Sequence, residues 1–271
     1  MCMDDDMDVE EVAEETVSID PTLKEALDNN GNFITGNHGC IGCGELLALK
    51  IALHAVGKCV VVHSSGEIAL LAKYPNSYVS VPFVGAGRNA APLAAAVAKG
   101  VSETVVAYAG DGATREHMND LMETARSKAN VIYICYNNQS SDVYSESVAK
   151  ILSRYADYAA TASISHATDY IKKLKKAASL PGVKYIEVLA PCPDKWGFDT
   201  SLTVEVARTA VESRAWPLYE ITSGKTEINS MPTTMSTENY FSMQRRFASA
   251  DPADIEEAKA RISKTWKSLQ Q

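Results

Sequence analysis

The feature that most constrains this chain is a series of short, continuously apolar runs rich in β-branched residues, alternating with stretches of helical pattern. The runs are CVVVH (59–63), SYVSVPFV (77–84), TVVAYAG (104–110), VIYICYNN (131–138) and KYIEVLAP (184–191). Between and after them come GELLALKIALHAVG (44–57), NAAPLAAAVAKG (89–100), EHMNDLMETARSKA (116–129), DYIKKLKKAASL (169–180) and SLTVEVARTAVESR (201–214). A strand with one wet face alternates apolar and polar residues, whereas these runs do not, so both their faces must be covered. Parallel strands need crossovers, and the helical stretches supply them. The expected fold is α/β, a doubly wound and mainly parallel sheet with helices on both faces. The first helix is apolar around most of its circumference and should be buried, with Gly57 as its stop. After Trp216 the segment WPLYEITSGKTEINSMPTT reads as loop. The segment 251–269 then opens a helix with Asp251 as N-cap and Pro252 at the first helical position, and this helix is expected to pack on a partner chain.

The first residues, 1–16, are dense in Asp and Glu and are expected to form a mobile acidic tail. Residues 17–271 are expected to form a single domain with a C-terminal helical extension. A net charge of −8 argues against a nucleic-acid partner, which would call for a basic face. No apolar run approaches the roughly 18 to 20 residues of a membrane span, and the acidic start is unlike a signal peptide, so a cytoplasmic location is expected.

Chemistry concentrates at the ends of two of the strands. Gly110-Asp111-Gly112 closes the run 104–110, and Asn137-Asn138 closes the run 131–138, with 24 residues between the two motifs. Both lie at the carboxyl edge of the expected sheet, where open α/β sheets bind ligands. Asp111 offers a carboxylate, Asn138 an amide oxygen and the backbone near Ser140 a carbonyl, a hard-oxygen set suited to Mg²⁺. The glycines let the main chain approach a diphosphate, with Ala113 beside them. A helix expected to begin near Thr114 adds amide donors and a favourable dipole. This arrangement resembles the GDG-to-NN signature of thiamine-diphosphate enzymes, in which the acid and the final Asn bind the metal.

The second motif is Cys40-Ile41-Gly42-Cys43-Gly44-Glu45. Taken alone, a Cys-x-x-Cys is compatible with a zinc half-site, a dithiol pair or part of an iron–sulfur cluster. Of the remaining cysteines, Cys135 lies inside an apolar run and reads as a buried small hydrophobe.

Five blocks in the same order resemble the thiamine-diphosphate-binding β subunit of the 2-oxoacid:ferredoxin oxidoreductases, the family that includes pyruvate:ferredoxin oxidoreductase. They are GNHGCIGCGELLALKIAL, GRNAAPLAAAVAKG, GDGAT with YNN, LAPCPDKW and RTAVESRAWPLYE, and the resemblance spans Phe33 to Glu220. It implies thiamine diphosphate, Mg²⁺ and a [4Fe–4S] cluster as cofactors, with Cys40, Cys43 and Cys192 as cluster ligands. The family's usual third cysteine is missing from Val62-His63-Ser64-Ser65-Gly66-Glu67. Glu67 is the first substitute to consider, ahead of His63 and Cys59, and a three-iron or lost cluster is the other outcome. Gly44 and Glu45 are expected to face the cofactor.

His38 is assigned either to substrate or cofactor contact or to a loop hydrogen bond. Asp142 falls near the position where pyruvate enzymes carry an Asn facing substrate, and this departure leaves the 2-oxoacid open. Pyruvate is the first choice, with phenylglyoxylate, oxalate and 2-oxoisovalerate as alternatives. The resemblance also implies α subunits, with γ/δ or ferredoxin-like chains, and ferredoxin or another electron acceptor. Coenzyme A would accept the acyl group, and the carboxylate that activates thiamine would come from the companion chain. Rival readings are a non-oxidative thiamine-dependent decarboxylase or synthase subunit, and a scaffold with a vestigial turn.

Overall fold

The computed structural model describes residues 39–66, 68–69, 81–139, 147–232 and 236–270. In chain order these form α1 (Gly44–Val56), β1 (Cys59–His63), β2 (Phe83–Gly85), α2 (Ala90–Val97), β3 (Thr104–Gly110), α3 (Asp111–Glu116) and α4 (Met118–Arg126). There follow β4 (Val131–Asn137), α5 (Val148–Leu152), β5 (Tyr158–Ser163), α6 (Ala167–Ser179), β6 (Val183–Leu189), α7 (Pro193–Trp196) and α8 (Thr203–Glu212). The chain closes with β7 (Tyr219–Thr222), β8 (Lys225–Ile228), α9 (Thr237–Ser242) and α10 (Pro252–Leu269).

The strands join one eight-stranded sheet in the order β2-β1-β3-β4-β6-β5-β7-β8. It is parallel from β2 to β5, while β7 and β8 add an antiparallel edge. Alternation within each strand divides the interior in two, because successive side chains point to opposite faces. Val106, Tyr108, Ile132, Ile134, Tyr136, Ile186 and Val188 pack against α1, α6 and α8 on one face. Val105, Ala107, Ala109, Val131, Tyr133, Cys135 and Tyr185 pack against α2, α4 and α5 on the other. Cys135 is thus a core residue, as its apolar run implies.

Two expectations change. The segment after Trp216 is not all loop: it holds the β7–β8 hairpin, whose two-residue turn places Ser223 at φ 51 and Gly224 at φ 78. Two successive positive φ values match the right-handed twist of a hairpin, and the Ser-Gly pair was the sequence signal for it. The helix after Gly110 starts at Asp111 rather than Thr114, and it is a separate element from α4, broken at His117. The last helix packs on its own chain: Ala258 joins the first core and Leu269 the second, with Trp266 also buried.

Helix α10 begins as its sequence dictates, with the Asp251 carboxylate accepting the Ala253 amide at 2.8 Å and Pro252 in the first turn. Asp251→Ala removes this cap and should cost about 1 kcal/mol of stability in urea unfolding. An unchanged midpoint would show that the cap does not hold the helix.

Candidate active site at the carboxyl edge of the sheet

The site is built where β1, β3 and β4 end. Parallel pairing sets Gly110 opposite Tyr136, so Asp111 and the Asn137-Asn138 pair leave neighbouring strands at the same edge. Asp111 is 3% exposed, Asn137 4% and Asn138 6%, a concentration of buried polar groups at the rim of an otherwise apolar sheet. Such groups are buried only where partners satisfy them. Gly112 and Ala113 lie in the first turn of α3. A Cβ on Gly110 would come within 3.0 Å of the Tyr136 ring, so this turn accepts only glycine without displacing that ring.

Opposite this turn stands the start of α1. The Glu45 backbone carbonyl accepts the Tyr108 hydroxyl at 2.7 Å, and Glu45 itself is 4% exposed. Burial pushes the Tyr136 hydroxyl pKa far up, and the facing Glu45 carboxylate, to which it hydrogen-bonds, adds to the shift. Glu45 therefore points into the same edge as Asp111 and Asn138.

The cysteine loop is fastened to two other segments. A Cβ on Gly44 would lie 2.5 Å from the Pro191 carbonyl oxygen, and one on Gly42 would lie 2.2 Å from that of Thr200. The Thr203 hydroxyl donates to the Gly42 carbonyl at 2.7 Å. Cys43 and Cys192 thus belong to segments in direct contact, both half-buried, while Cys40 is exposed one turn earlier. Among the described residues, no three His, Cys, Asp or Glu side chains converge on a single point as they would around one metal ion.

Cys59 sits at the far end of β1, where burial pushes its thiol up to about 12. The His63 ring stacks on Phe83 at 4.3 Å between centroids, with Nδ1 2.9 Å from the Ser64 carbonyl. Burial lowers its pKa, against the effect of that backbone contact. His38, Glu67, Ser140 and Asp142 lie outside the described residues.

Residues 55–188 match the family model for thiamine pyrophosphate enzymes, C-terminal thiamine-pyrophosphate-binding domain. The chain is 33% identical over 268 residues to pyruvate synthase subunit PorB of Methanothermobacter marburgensis, covering 84% of this chain and 92% of that one. The chain belongs to the 2-oxoacid:ferredoxin oxidoreductase family, as a thiamine-diphosphate-binding β subunit. Ketoisovalerate oxidoreductase subunit VorB of Pyrococcus horikoshii is 27% identical over 290 residues, covering 88% of this β subunit and 92% of its own length. The fold is shared with a 2-oxoglutarate:ferredoxin oxidoreductase of Magnetococcus marinus, at a TM-score of 0.53 and 16% identity, over 86% of this chain and 95% of that one.

This β subunit surrounds its Asn137-Asn138 turn with residues that sequence reading did not single out. The Trp196 indole donates to the Asn138 carbonyl at 2.7 Å. Arg246 stacks on Trp196 at 3.8 Å and donates to Gln139 Oε1 at 2.6 Å, and that oxygen also accepts the Tyr240 hydroxyl at 3.0 Å. Glu187, fully buried in β6, accepts from Asn137 and from Ser147. Burial raises its pKa, opposed by the Ser147 and Asn137 hydrogen bonds and by Arg115. A carboxylate inside the apolar run YIEVL was the available signal, since a fully buried acid is rare without partners. Trp196 and Arg246 left none, because only the fold brings them to the turn.

The contact of α1 with the segment 190–192 depends on Gly44. Gly44→Ala drives a Cβ into backbone that cannot rotate away, and should lower stability to urea by about 1–3 kcal/mol. Wild-type stability would show that the two segments are not fastened there.

Proposed function

We propose that this β subunit carries the thiamine half-site for oxidative decarboxylation of a 2-oxoacid, pyruvate by preference, to an acyl-coenzyme A and carbon dioxide. The observation that carries the reading is the placement of Gly110-Asp111 and Asn137-Asn138 at adjoining ends of β3 and β4. The preference for pyruvate follows the 33% identity to a pyruvate synthase subunit, with 2-oxoisovalerate next because of the ketoisovalerate oxidoreductase relatives.

In this reading Asp111 and Asn138 hold Mg²⁺ with a backbone carbonyl near Ser140, an oxygen set that offsets the charge of a diphosphate. Gly110, Gly112 and Ala113 leave room for the main chain to meet the phosphates, and the first turn of α3 faces them with amides. Glu45 and Gly44 line the opposite wall. Cys40, Cys43 and Cys192 ligate a [4Fe–4S] cluster, with Glu67 the first candidate for the fourth position. Bound thiamine diphosphate supplies an electron sink for the departing carboxylate, and the cluster supplies a one-electron path to ferredoxin or another acceptor. The chain's own part is to bind, orient and exclude water; the acid that activates the cofactor comes from an α subunit.

Two measurements test this. Asp111→Ala in the assembled complex should abolish Mg²⁺-dependent thiamine diphosphate binding measured by calorimetry, whereas retained binding would remove Asp111 from the metal site. The chain purified alone under anaerobic conditions should fail to reduce a viologen dye with pyruvate and coenzyme A. Turnover by the isolated chain would mean that it holds a complete site.

A further inference from the structure

We propose that Glu187 is a positioning residue that fixes the amide of Asn137 in one orientation and so aims Asn138 at the metal. The inference rests on the metal-site reading above and concerns how the chain builds that site. The Asn137 side chain makes two hydrogen bonds of opposite polarity: Nδ2 donates to Glu187 Oε1 at 2.8 Å, and Oδ1 accepts the Gln139 amide at 2.8 Å. The second bond bridges residue 138 and closes a tight turn, with Gln139 at φ 50 in the left-handed region. The Asn138 peptide is therefore pinned by its neighbour's side chain, and the Trp196 indole on its own carbonyl completes the hold.

An amide can present either its oxygen or its nitrogen, and only its partners decide which. Both oxygens of Glu187 act as acceptors here, Oε1 from Asn137 Nδ2 and Oε2 from the Ser147 hydroxyl, so the carboxyl group meets Nδ2 and leaves Oδ1 for Gln139. Were the amide reversed, the NH₂ would face the Gln139 N–H, donor against donor, and the turn would open. The other oxygen of Glu187 accepts the Ser147 hydroxyl at 2.8 Å and lies 3.4 Å from the Ala149 amide. One carboxylate thus holds the end of β4 and the start of α5, the described chain on either side of residues 140–146. The sheet makes this reach possible: Glu187 pairs with Cys135, and Asn137 lies two residues further along β4 on the same face.

Glu187→Gln keeps the size of the side chain but offers both a donor and an acceptor, so it no longer selects the Asn137 orientation. The experiment is calorimetric titration of the metal-stripped, assembled complex with Mg²⁺ and, separately, with Ca²⁺, at saturating thiamine diphosphate. Mg²⁺ demands a near-ideal octahedron, whereas Ca²⁺ tolerates irregular ligands. Loss of aim should therefore weaken Mg²⁺ by about 10- to 100-fold, as loss of a group that orients a metal ligand does, and weaken Ca²⁺ much less. An unchanged Mg²⁺-to-Ca²⁺ affinity ratio, whether both ions bind normally or both are weakened alike, overturns the inference and leaves Glu187 at most a general structural role. If E187Q does not fold, Asn137→Ser reads the same link from its other end, with the same expected change in the ratio and the same overturning result. Asp111→Ala run alongside separates the two levels: normal Mg²⁺ binding there means that the metal-site reading has failed, not the role of Glu187.

Discussion

The parallel pairing of β3 with β4 is the constraint on which the rest depends. Its register fixes Gly110 beside Tyr136, and everything chemical about this chain follows from what lies just past those two residues. A slip of one residue would turn Val105, Ala107 and Ala109 out of one core and Val106 and Tyr108 out of the other. The register is therefore held by burial on two faces, and the functional edge inherits its precision from packing some distance away. The sheet alone puts Asp111 and Asn138 just past adjoining strand ends.

Around this edge the chain places supports from distant parts of the sequence. The start of α1 brings Glu45 and the cysteine loop, the segment after β6 brings Cys192 and Trp196, and the segment between α9 and α10 brings Arg246. Each support is short and specific: an indole on a carbonyl, a guanidinium stacked on that indole, a carboxylate on an amide. The close approaches of Gly44 to Pro191 and of Gly42 to Thr200 fasten the cysteine loop to the chain on either side of Cys192 and Trp196.

How much of this was readable beforehand depended on how local the cause was. Strands β1, β3, β4 and β6 announced themselves as apolar runs, and the α10 boundary was written in Asp251-Pro252. The GDG and NN motifs were legible as a pair because the strand pattern predicted that both would reach one edge. Strand β5, YAATAS, was missed because small and hydroxylated side chains carry little β signal; it is a strand because it fits between β6 and β7, fully buried. The β7–β8 hairpin was masked by its polar outer strand, with β8 exposed over most of its length. Trp196, Tyr240 and Arg246 are ordinary residues in sequence and acquire meaning only where the chain folds them onto Gln139 and Asn138.

The most direct test of the central claim replaces Mg²⁺ with Mn²⁺ in the assembled complex with thiamine diphosphate and locates the metal by anomalous diffraction. The account predicts a single peak at the carboxyl edge, within direct coordination distance of a carboxylate oxygen of Asp111 and of the amide oxygen of Asn138. A peak bound elsewhere on the chain, or a diphosphate seated away from the ends of β3 and β4, would contradict it.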